Sequence, residues 1–258
     1  MAARVSDLLL SRPRDAEYRD ADIHAAEARH FWFRARSRFV QWAWRRYFPD
    51  ARRLLDLGCG TGFVLRELHR RDPRLTLAGC DRRLETLAIA RTQAPGALIF
   101  AADVGALPLG PVFDVVTALD VLEHVDEDEA ALAAICCALK PGGGVILSVP
   151  QHPWLWSEID DFSCHRRRYV RIDLERKAAA AGFEILRSTS LFATTLPIVA
   201  ASRRRRGAEF DPAAELRIPA AVSRALGAMI SVEARLISAG LSLPFGSSLM
   251  LIARRPTT

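Results

Sequence analysis

The sequence predicts an α/β protein built on a doubly wound, mostly parallel sheet of seven strands. From Arg53 onward, short and continuously apolar segments alternate with segments that have helical periodicity. Continuously apolar strands separated by helices are typical of a parallel sheet that is covered on both faces. In addition, the first apolar segment leads directly into a glycine-rich turn, as strands of this class often do before a helix.

The elements can be assigned in order along the chain. Residues 1–50 are predicted to be helical, because AEARHFWFRARSRFVQWAWRRYF carries aromatic and arginine residues at helical spacing before Pro49. The predicted strands are RLLDLG, LTLAGCD, ALIFAAD, FDVVTALD, GVILSVP, EILRSTSL and SSLMLIARR, and LKPGGG is interpreted as the turn before the fifth. The main helices between them are VLRELHRRD, RLETLAIARTQA, DEDEAALAAICCALK and IDLERKAAAAGF.

The connection between the last two strands is too long for a loop. About fifty residues without a strand pattern are more consistent with an inserted helical unit than with irregular structure. We therefore expect a helical cap (1–50), a core (51–191), a helical insertion (192–246) and a final strand of the core (247–258).

Composition limits the classes of function. The 258 residues carry a net charge of +6, which favours a neutral or anionic partner but is too small to indicate nucleic acid. The five cysteines lack paired metal spacing, so no metal is expected. No apolar segment approaches the ~20 residues of a membrane span. These features favour a cytoplasmic protein.

The segment LLDLGCGTGFVL (54–65) indicates a ligand site. Three glycines within residues 58–62 exceed what a tight turn requires, and a ligand could lie there against backbone N–H groups at a helix N-terminus. Phe63 replaces the third glycine of the dinucleotide fingerprint, and the Walker ending is absent, so no pyrophosphate is expected. Asp81, at the end of the next strand, is placed to accept the hydroxyls of an adenosine ribose. Asp103, after the third strand, could accept from an adenine amino group.

In this order the motifs resemble those of the class I S-adenosylmethionine-dependent methyltransferases, particularly the small-molecule group that includes the ubiquinone-pathway O-methyltransferases. DLGCGTG resembles their first motif, GCD the second, AADVGALPL the third, VTALDVLEHV the fourth and LKPGGGVILSVP the following segment. The resemblance is strong over residues 34–150. It implies a Rossmann-like fold, methyl transfer as the reaction and S-adenosyl-L-methionine as the cofactor.

The resemblance also implies a set of cofactor contacts. The loop 58–62 would hold the methionine and ribose portions, Asp56 would face the ammonium group, and Asp81 would bind the ribose diol. Arg38 matches an arginine of the N-terminal helix that contacts the cofactor in the ubiquinone-pathway relatives; the alternative is that it is one of several arginines on an exposed helix face. The implied set is Arg38, Asp56, Gly58, Cys59, Gly60, Thr61, Gly62, Asp81, Arg82 beside the adenine, Asp103 and the Val104 N–H at the adenine edge, and Leu119 beneath the methionine.

The methyl acceptor should bind after the fourth and fifth strands, at the carboxyl edge of the sheet. The segment HPWLWSEIDDFSCHRRRY (152–169) there contains two histidines, two tryptophans, three acids and three consecutive arginines. An oxygen nucleophile benefits from a general base, and His165 is the first candidate, with Asp160 or Asp161 as its orienting partner. His124, which follows Glu123 after the fourth strand, is the second. The alternative is a surface crossover with solvated charges.

The sequence leaves the partners open. The run SRRRRG (202–207) suits either a solvated linker or contact with a membrane surface, and the inserted helices suit a lid, a homodimer interface or a membrane contact. A small-molecule acceptor is expected, whether lipid-linked, glycan or secondary metabolite. Nucleic acid is not, because no base-flipping motif of the Asn-Pro-Pro-Tyr type is present. The competing hypothesis is a catalytically silent module that keeps the cofactor pocket and acts as a binding partner.

Overall fold

The computed structural model describes residues 20–107, 109–204 and 217–257. The first elements among these described residues are two helices, α1 (Asp20–Glu27) and α2 (Phe31–Tyr47). His30 caps α2, because its Nδ1 accepts a hydrogen bond from the backbone N–H of Trp32 at 3.2 Å. The buried side chains of α2, including Phe39 and Trp44, form the apolar stripe that packs on the sheet.

The rest of the chain alternates between strands and helices, as predicted, and the sheet has the order β3-β2-β1-β4-β5-β7-β6. Strands β1 to β5 are parallel to one another, and β7 is antiparallel to both β5 and β6. The seven-stranded, mostly parallel sheet is therefore confirmed. The elements are β1 (Arg53–Leu57), α3 (Phe63–Arg71), β2 (Thr76–Asp81), α4 (Leu84–Gln93), β3 (Leu98–Ala101), β4 (Phe113–Leu119), α5 (Asp128–Ala138), β5 (Leu139–Pro150), α6 (Glu158–Phe162), α7 (Arg171–Ala180), β6 (Glu184–Leu191), α8 (Leu196–Arg204), α9 (Ala220–Ser238) and β7 (Ser248–Arg254).

The strand order reverses between β1 and β4, and this reversal fixes where a ligand can bind. In open α/β sheets the crevice outside the carboxyl ends of the strands at such a point is the usual ligand site. Two buried apolar clusters cover the two faces of the sheet, and successive residues such as Leu54 and Leu55 belong to different clusters, as the alternation of side chains along a strand requires. The covered faces leave the carboxyl edge as the accessible place for chemistry.

The interpretation of LKPGGG as a turn before the fifth strand is wrong. Residues 139–143 form the start of β5, whose pairing with β4 shifts register from Phe113↔Leu139 to Val115↔Gly144. The ladder is irregular at these extra residues, and Gly142 among them has a φ of 77°, which favours glycine. A side chain at Gly144 would overlap the ring of Phe48, so that position also requires glycine for packing.

The region between β6 and β7 contains the helices α8 and α9, as predicted, while Arg205 and Arg206 of the arginine run lie outside the described residues. Helix α9 packs on α2: Ser223 Oγ accepts a hydrogen bond from the Phe31 N–H at 3.0 Å. Glu233, which is buried, accepts from the N–H groups of Phe192 and Thr194 at 2.6 and 3.0 Å. Within the described part of the chain, none of the helices combines the length and apolar character that a bilayer crossing requires. The division into units at residues 50, 191 and 246 stays a prediction.

Candidate active site

The glycine loop joins β1 to α3, and its glycines all have positive φ angles: 64° at Gly58, 53° at Gly60 and 84° at Gly62. A Cβ added at Gly58 would lie 2.5 Å from Val121 Cγ2, and one at Gly62 would lie 3.1 Å from Ala90 Cα. These two glycines are therefore needed for packing. A Cβ at Gly60 would meet no heavy atom of the described residues within 4 Å. The middle of the loop thus faces open space, as expected for a backbone on which a ligand lies.

The buried carboxylate of Asp56 and the partly buried carboxylate of Asp81 flank this space. The carboxylate of Asp81 accepts hydrogen bonds from the N–H groups of Gly60 at 3.1 Å and Arg83 at 3.0 Å, which fixes its orientation at the end of β2. Burial raises the pKa of Asp81. Asp56, at 2% exposure, accepts a hydrogen bond from Thr117 Oγ1 at 2.5 Å. Burial raises its pKa to about 6, although the Thr117 hydrogen bond acts in the opposite direction. A cationic ligand group nearby would favour the ionised form of both carboxyls.

The ends of β2 and β3 form the other rim of the space. Asp103 Oδ1 accepts a hydrogen bond from the Gly105 N–H at 2.8 Å and so caps the short 3₁₀ turn that begins at Val104. Arg82 Nη1 lies 3.8 Å from Asp103 Oδ2, and both side chains are about half exposed. Arg82, Asp103 and Val104 therefore lie together beside the loop, at the edge where the sequence places the adenine. Leu119 is buried at the end of β4.

The structure does not bring Arg38 to this edge. Its side chain is exposed, and Nη1 donates to Ser231 Oγ of α9 at 3.3 Å. Arg36 points instead to the switch point, where its Nη1 lies 2.6 Å from Asp120 Oδ2 and its guanidinium lies 4.4 Å from the centre of the Trp32 ring. Residues that are two positions apart in an α-helix are rotated by about 200° from each other, so Arg36 and Arg38 face opposite ways. Sequence reasoning missed Arg36 because helical spacing alone does not show which face of α2 meets the sheet.

Helix α1 closes over the glycine loop through Glu27, a contact that the sequence did not reveal. Thr61 Oγ1 donates a short hydrogen bond to Glu27 Oε1, and Gln93 Nε2 donates to Glu27 Oε2 at 3.2 Å. Glu27 and Thr61 are both buried, as is Cys59. Thr61 and Cys59 therefore support the loop from behind, while the backbone of Gly60 faces the open space.

Asp160 is the centre of the candidate acceptor region. It is fully buried, accepts from the Ser157 N–H at 2.9 Å in a capping box of α6, and lies 2.9 Å from His165 Nδ1. Arg168 binds it with two hydrogen bonds, of 2.8 and 3.0 Å. Burial favours the neutral acid, but the hydrogen bonds from His165 and Arg168 prevail and lower the pKa of Asp160.

The orienting partner of His165 is thus Asp160, while Asp161 accepts from Trp156 Nε1 at 3.0 Å. The alternative of solvated charges is wrong for Arg168, whose side chain is only 6% exposed. This role of Arg168 was not recognisable within a run of three arginines.

His124 and His165 come together at the same edge. Their ring centres are 4.8 Å apart with an edge-to-face angle of 76°. The Arg166 N–H donates to the backbone oxygen of Glu123 at 2.7 Å, which ties the segment after β4 to the segment after β5. Glu123 is buried beside them, and burial together with the charge of Asp120 raises its pKa well above the usual range. A buried carboxyl and two imidazoles are therefore gathered where the acceptor is expected.

Comparison with known proteins agrees with this architecture. Residues 24–188, more than half of the chain, match the family model described as a methyltransferase domain. The ubiquinone biosynthesis O-methyltransferase of Aeromonas salmonicida is 35% identical over 103 residues, which cover 38% of this chain and 42% of that protein. The dTDP-3-amino-3,6-dideoxy-alpha-D-glucopyranose N,N-dimethyltransferase of Streptomyces fradiae is 35% identical over 118 residues, 44% of each chain. The match thus spans less than half the length of these curated relatives.

Solved structures share the fold at lower sequence identity. The phosphoethanolamine N-methyltransferase 2 of Haemonchus contortus, solved with S-adenosyl-L-methionine, has a TM-score of 0.63 at 19% identity. The alignment covers 99% of this chain and 60% of that one. The sheet order, the glycine loop at the switch point and the family match lead to one conclusion: the chain belongs to the methyltransferase domain family.

Proposed function

We propose that this protein is an S-adenosylmethionine-dependent methyltransferase that methylates an oxygen atom of a small molecule. The observation that carries the proposal is the open space in front of Gly60, bordered by Asp56 and Asp81, on the same sheet edge as the Asp160–His165 pair. The residues fit the cofactor chemically. The Gly60 backbone permits close approach, the acidic side chains suit an ammonium group and a ribose diol, and the Arg82–Asp103 rim suits an adenine.

Different residues of the chain would then serve proton transfer and the exclusion of water. When bound, S-adenosylmethionine would supply an electrophilic methyl group: the acceptor oxygen would donate the electron pair of the new C–O bond, and the pair of the broken C–S bond would stay on sulfur. Asp160 holds His165 through Nδ1, so Nε2 is available to accept the proton of the acceptor hydroxyl. Helices α1 and α2 cover the site, α1 through the contact of Glu27 with Thr61 and α2 through the contact of Arg36 with Asp120. This cover supports the exclusion of water during transfer.

The test uses cofactor with a labelled methyl group. The protein is incubated separately with lipid extract, polar metabolites and nucleic acid, and we expect the label in a small-molecule fraction. His165→Asn should bind the cofactor as the wild type does and lose at least 100-fold in turnover, the lower end of the usual contribution of a general base. Label in nucleic acid would contradict the acceptor class. Cofactor binding without transfer to any fraction would favour the catalytically silent module.

We also propose that the insertion contacts an anionic membrane surface. Helix α9 carries exposed apolar side chains at the spacing of one helical face, namely Val222, Met229, Val232 and Leu236. The same helix carries the exposed Arg224 and Arg235. An apolar stripe beside arginines suits an interface with anionic lipid.

Sedimentation with anionic and with neutral vesicles tests this contact. Val232→Asp should reduce retention by the anionic vesicles, whereas Thr92→Asp, a matched new charge on α4, should not. Equal retention of both variants would contradict the membrane contact. A dimer detected by light scattering and broken by Val232→Asp would instead assign the stripe to a homodimer interface.

A further inference from the structure

Glu123 is an unusual ionisable group among the residues that the structure describes. The residue has 0% exposure, and neither carboxylate oxygen has a hydrogen-bond partner among the described residues. Buried polar groups in folded proteins are almost always hydrogen-bonded, and a buried charge without a partner is costly. The backbone around it is well fixed, because the Arg166 N–H donates to its carbonyl oxygen. The side chain is therefore held in place without a proton donor to satisfy it.

The positive charges near Glu123 compensate its carboxylate only in part. Arg36 and Arg168 are close enough to act on it electrostatically. However, Arg36 binds Asp120 at 2.6 Å, and Arg168 binds Asp160 with two hydrogen bonds. Both guanidinium groups thus bind other carboxylates, while one oxygen of Glu123 lies within 4.8 Å of a ring nitrogen of each of the two histidines.

The three side chains have the spacing of a metal site. One donor atom from each of Glu123, His124 and His165 can be chosen so that all three lie within 4.8 Å of one another. Donors bound at about 2.1 Å from one cation lie roughly 3–4 Å apart, so small side-chain adjustments would bring them to bonding distance.

Asp160 supplies the supporting contact. Its hydrogen bond to Nδ1 leaves the Nε2 lone pair of His165 for a ligand, and a carboxylate–histidine pair of this kind typically orients a metal-binding imidazole.

We infer that Glu123, His124 and His165 bind a divalent transition-metal cation. Two imidazoles with one carboxylate favour zinc, iron or manganese over magnesium and calcium, which prefer oxygen ligands alone. Three protein ligands leave coordination positions for water or for an oxygen of the acceptor. That last consequence depends on the proposed function, whereas metal binding itself does not. In the metal-loaded protein His165 Nε2 is a ligand and no longer a base.

The experiment is titration of chelator-treated protein with Co²⁺, followed by visible absorption and by displacement with Zn²⁺. We expect one Co²⁺ per chain with ligand-field bands, and at least tenfold weaker binding for Glu123→Gln. His152→Asn is the matched control, because His152 is a partly buried histidine of the same sheet edge whose ring stacks on Trp154 rather than on the cluster. It should bind Co²⁺ as the wild type does. Equal affinity in Glu123→Gln and wild type, or no Co²⁺ binding by wild type, would overturn the inference.

Thermal unfolding separates ligand loss from misfolding. Zn²⁺ should raise the melting temperature of the wild type and of His152→Asn but not that of Glu123→Gln, which should keep wild-type cofactor affinity if it is folded. The outcome for methyl transfer is distinct. If the protein binds metal but transfers methyl to no acceptor, the proposed function is contradicted and the metal site is supported. If the protein transfers methyl but binds no Co²⁺, the metal site is contradicted and the proposed function is supported.

Discussion

Replacement of Gly60 by alanine separates the ligand role of the loop from its folding role. At φ 53° an L-residue costs roughly 1–2 kcal/mol relative to glycine. No further clash is expected, because no described heavy atom lies within 4 Å of the new Cβ. For a chain of this size the melting temperature should fall by about 2–8 °C. Cofactor affinity should fall at least tenfold, about 1.4 kcal/mol, since the methyl group enters the ligand's space. The branched side chain of Gly60→Val should abolish binding.

Calorimetric titration with S-adenosylmethionine and with its demethylated product measures the affinity, and differential scanning calorimetry measures the stability. Gly110→Ala is the control, because its Cβ would also meet open space but its φ is not positive. Gly58→Ala should be less stable than Gly60→Ala, since its Cβ would lie 2.5 Å from Val121 Cγ2. If Gly60→Val binds the cofactor normally, the open space is not the cofactor site and the three glycines serve only the turn.

Three further results are expected. Asp81→Ala should weaken cofactor binding by about 1.5–3 kcal/mol, the usual cost of leaving hydroxyl groups without a charged partner, and unchanged affinity in calorimetry would remove the assignment of the second motif. Asp56 has a folded-state pKa of about 6 against an ordinary 3.8, so its stabilising contribution is complete below pH 3.8 and is lost as the pH rises through 6. Relative to the wild type, the free energy of unfolding of ligand-free Asp56→Asn, measured with denaturant, should therefore rise by roughly 2–2.5 kcal/mol between pH 4 and pH 8; a constant difference would contradict the burial argument. Glu233→Ala should lower the free energy of unfolding by about 3 kcal/mol or more, because buried N–H groups of Phe192 and Thr194 lose a charged acceptor, and a change below 1 kcal/mol in the same assay would show that this contact does not hold the insertion.

The candidate site was predictable where it depends on local sequence. Residues 58–62 and Asp81 follow strands directly, and the carboxyl ends of adjacent parallel strands must meet at one edge. The pairing of His165 with an acid five residues earlier was also within reach, although the choice between Asp160 and Asp161 was not. Neighbouring residues of a short helix point about 100° apart, and only the packing of α6 shows which of them faces the sheet.

The sequence by itself determined the type of fold and the place of the candidate ligand site, because hydrophobic periodicity and glycine content act over a few residues and are visible in one chain. Tertiary structure alone decided which charges are buried and paired. Arg36 rather than Arg38 reaches the switch point, Arg168 is sequestered by Asp160, and Glu123 is left buried beside two histidines. These outcomes depend on contacts between segments that are far apart in sequence. In water, charged side chains are screened and behave alike, whereas a buried charge depends on the particular partners that the fold places beside it.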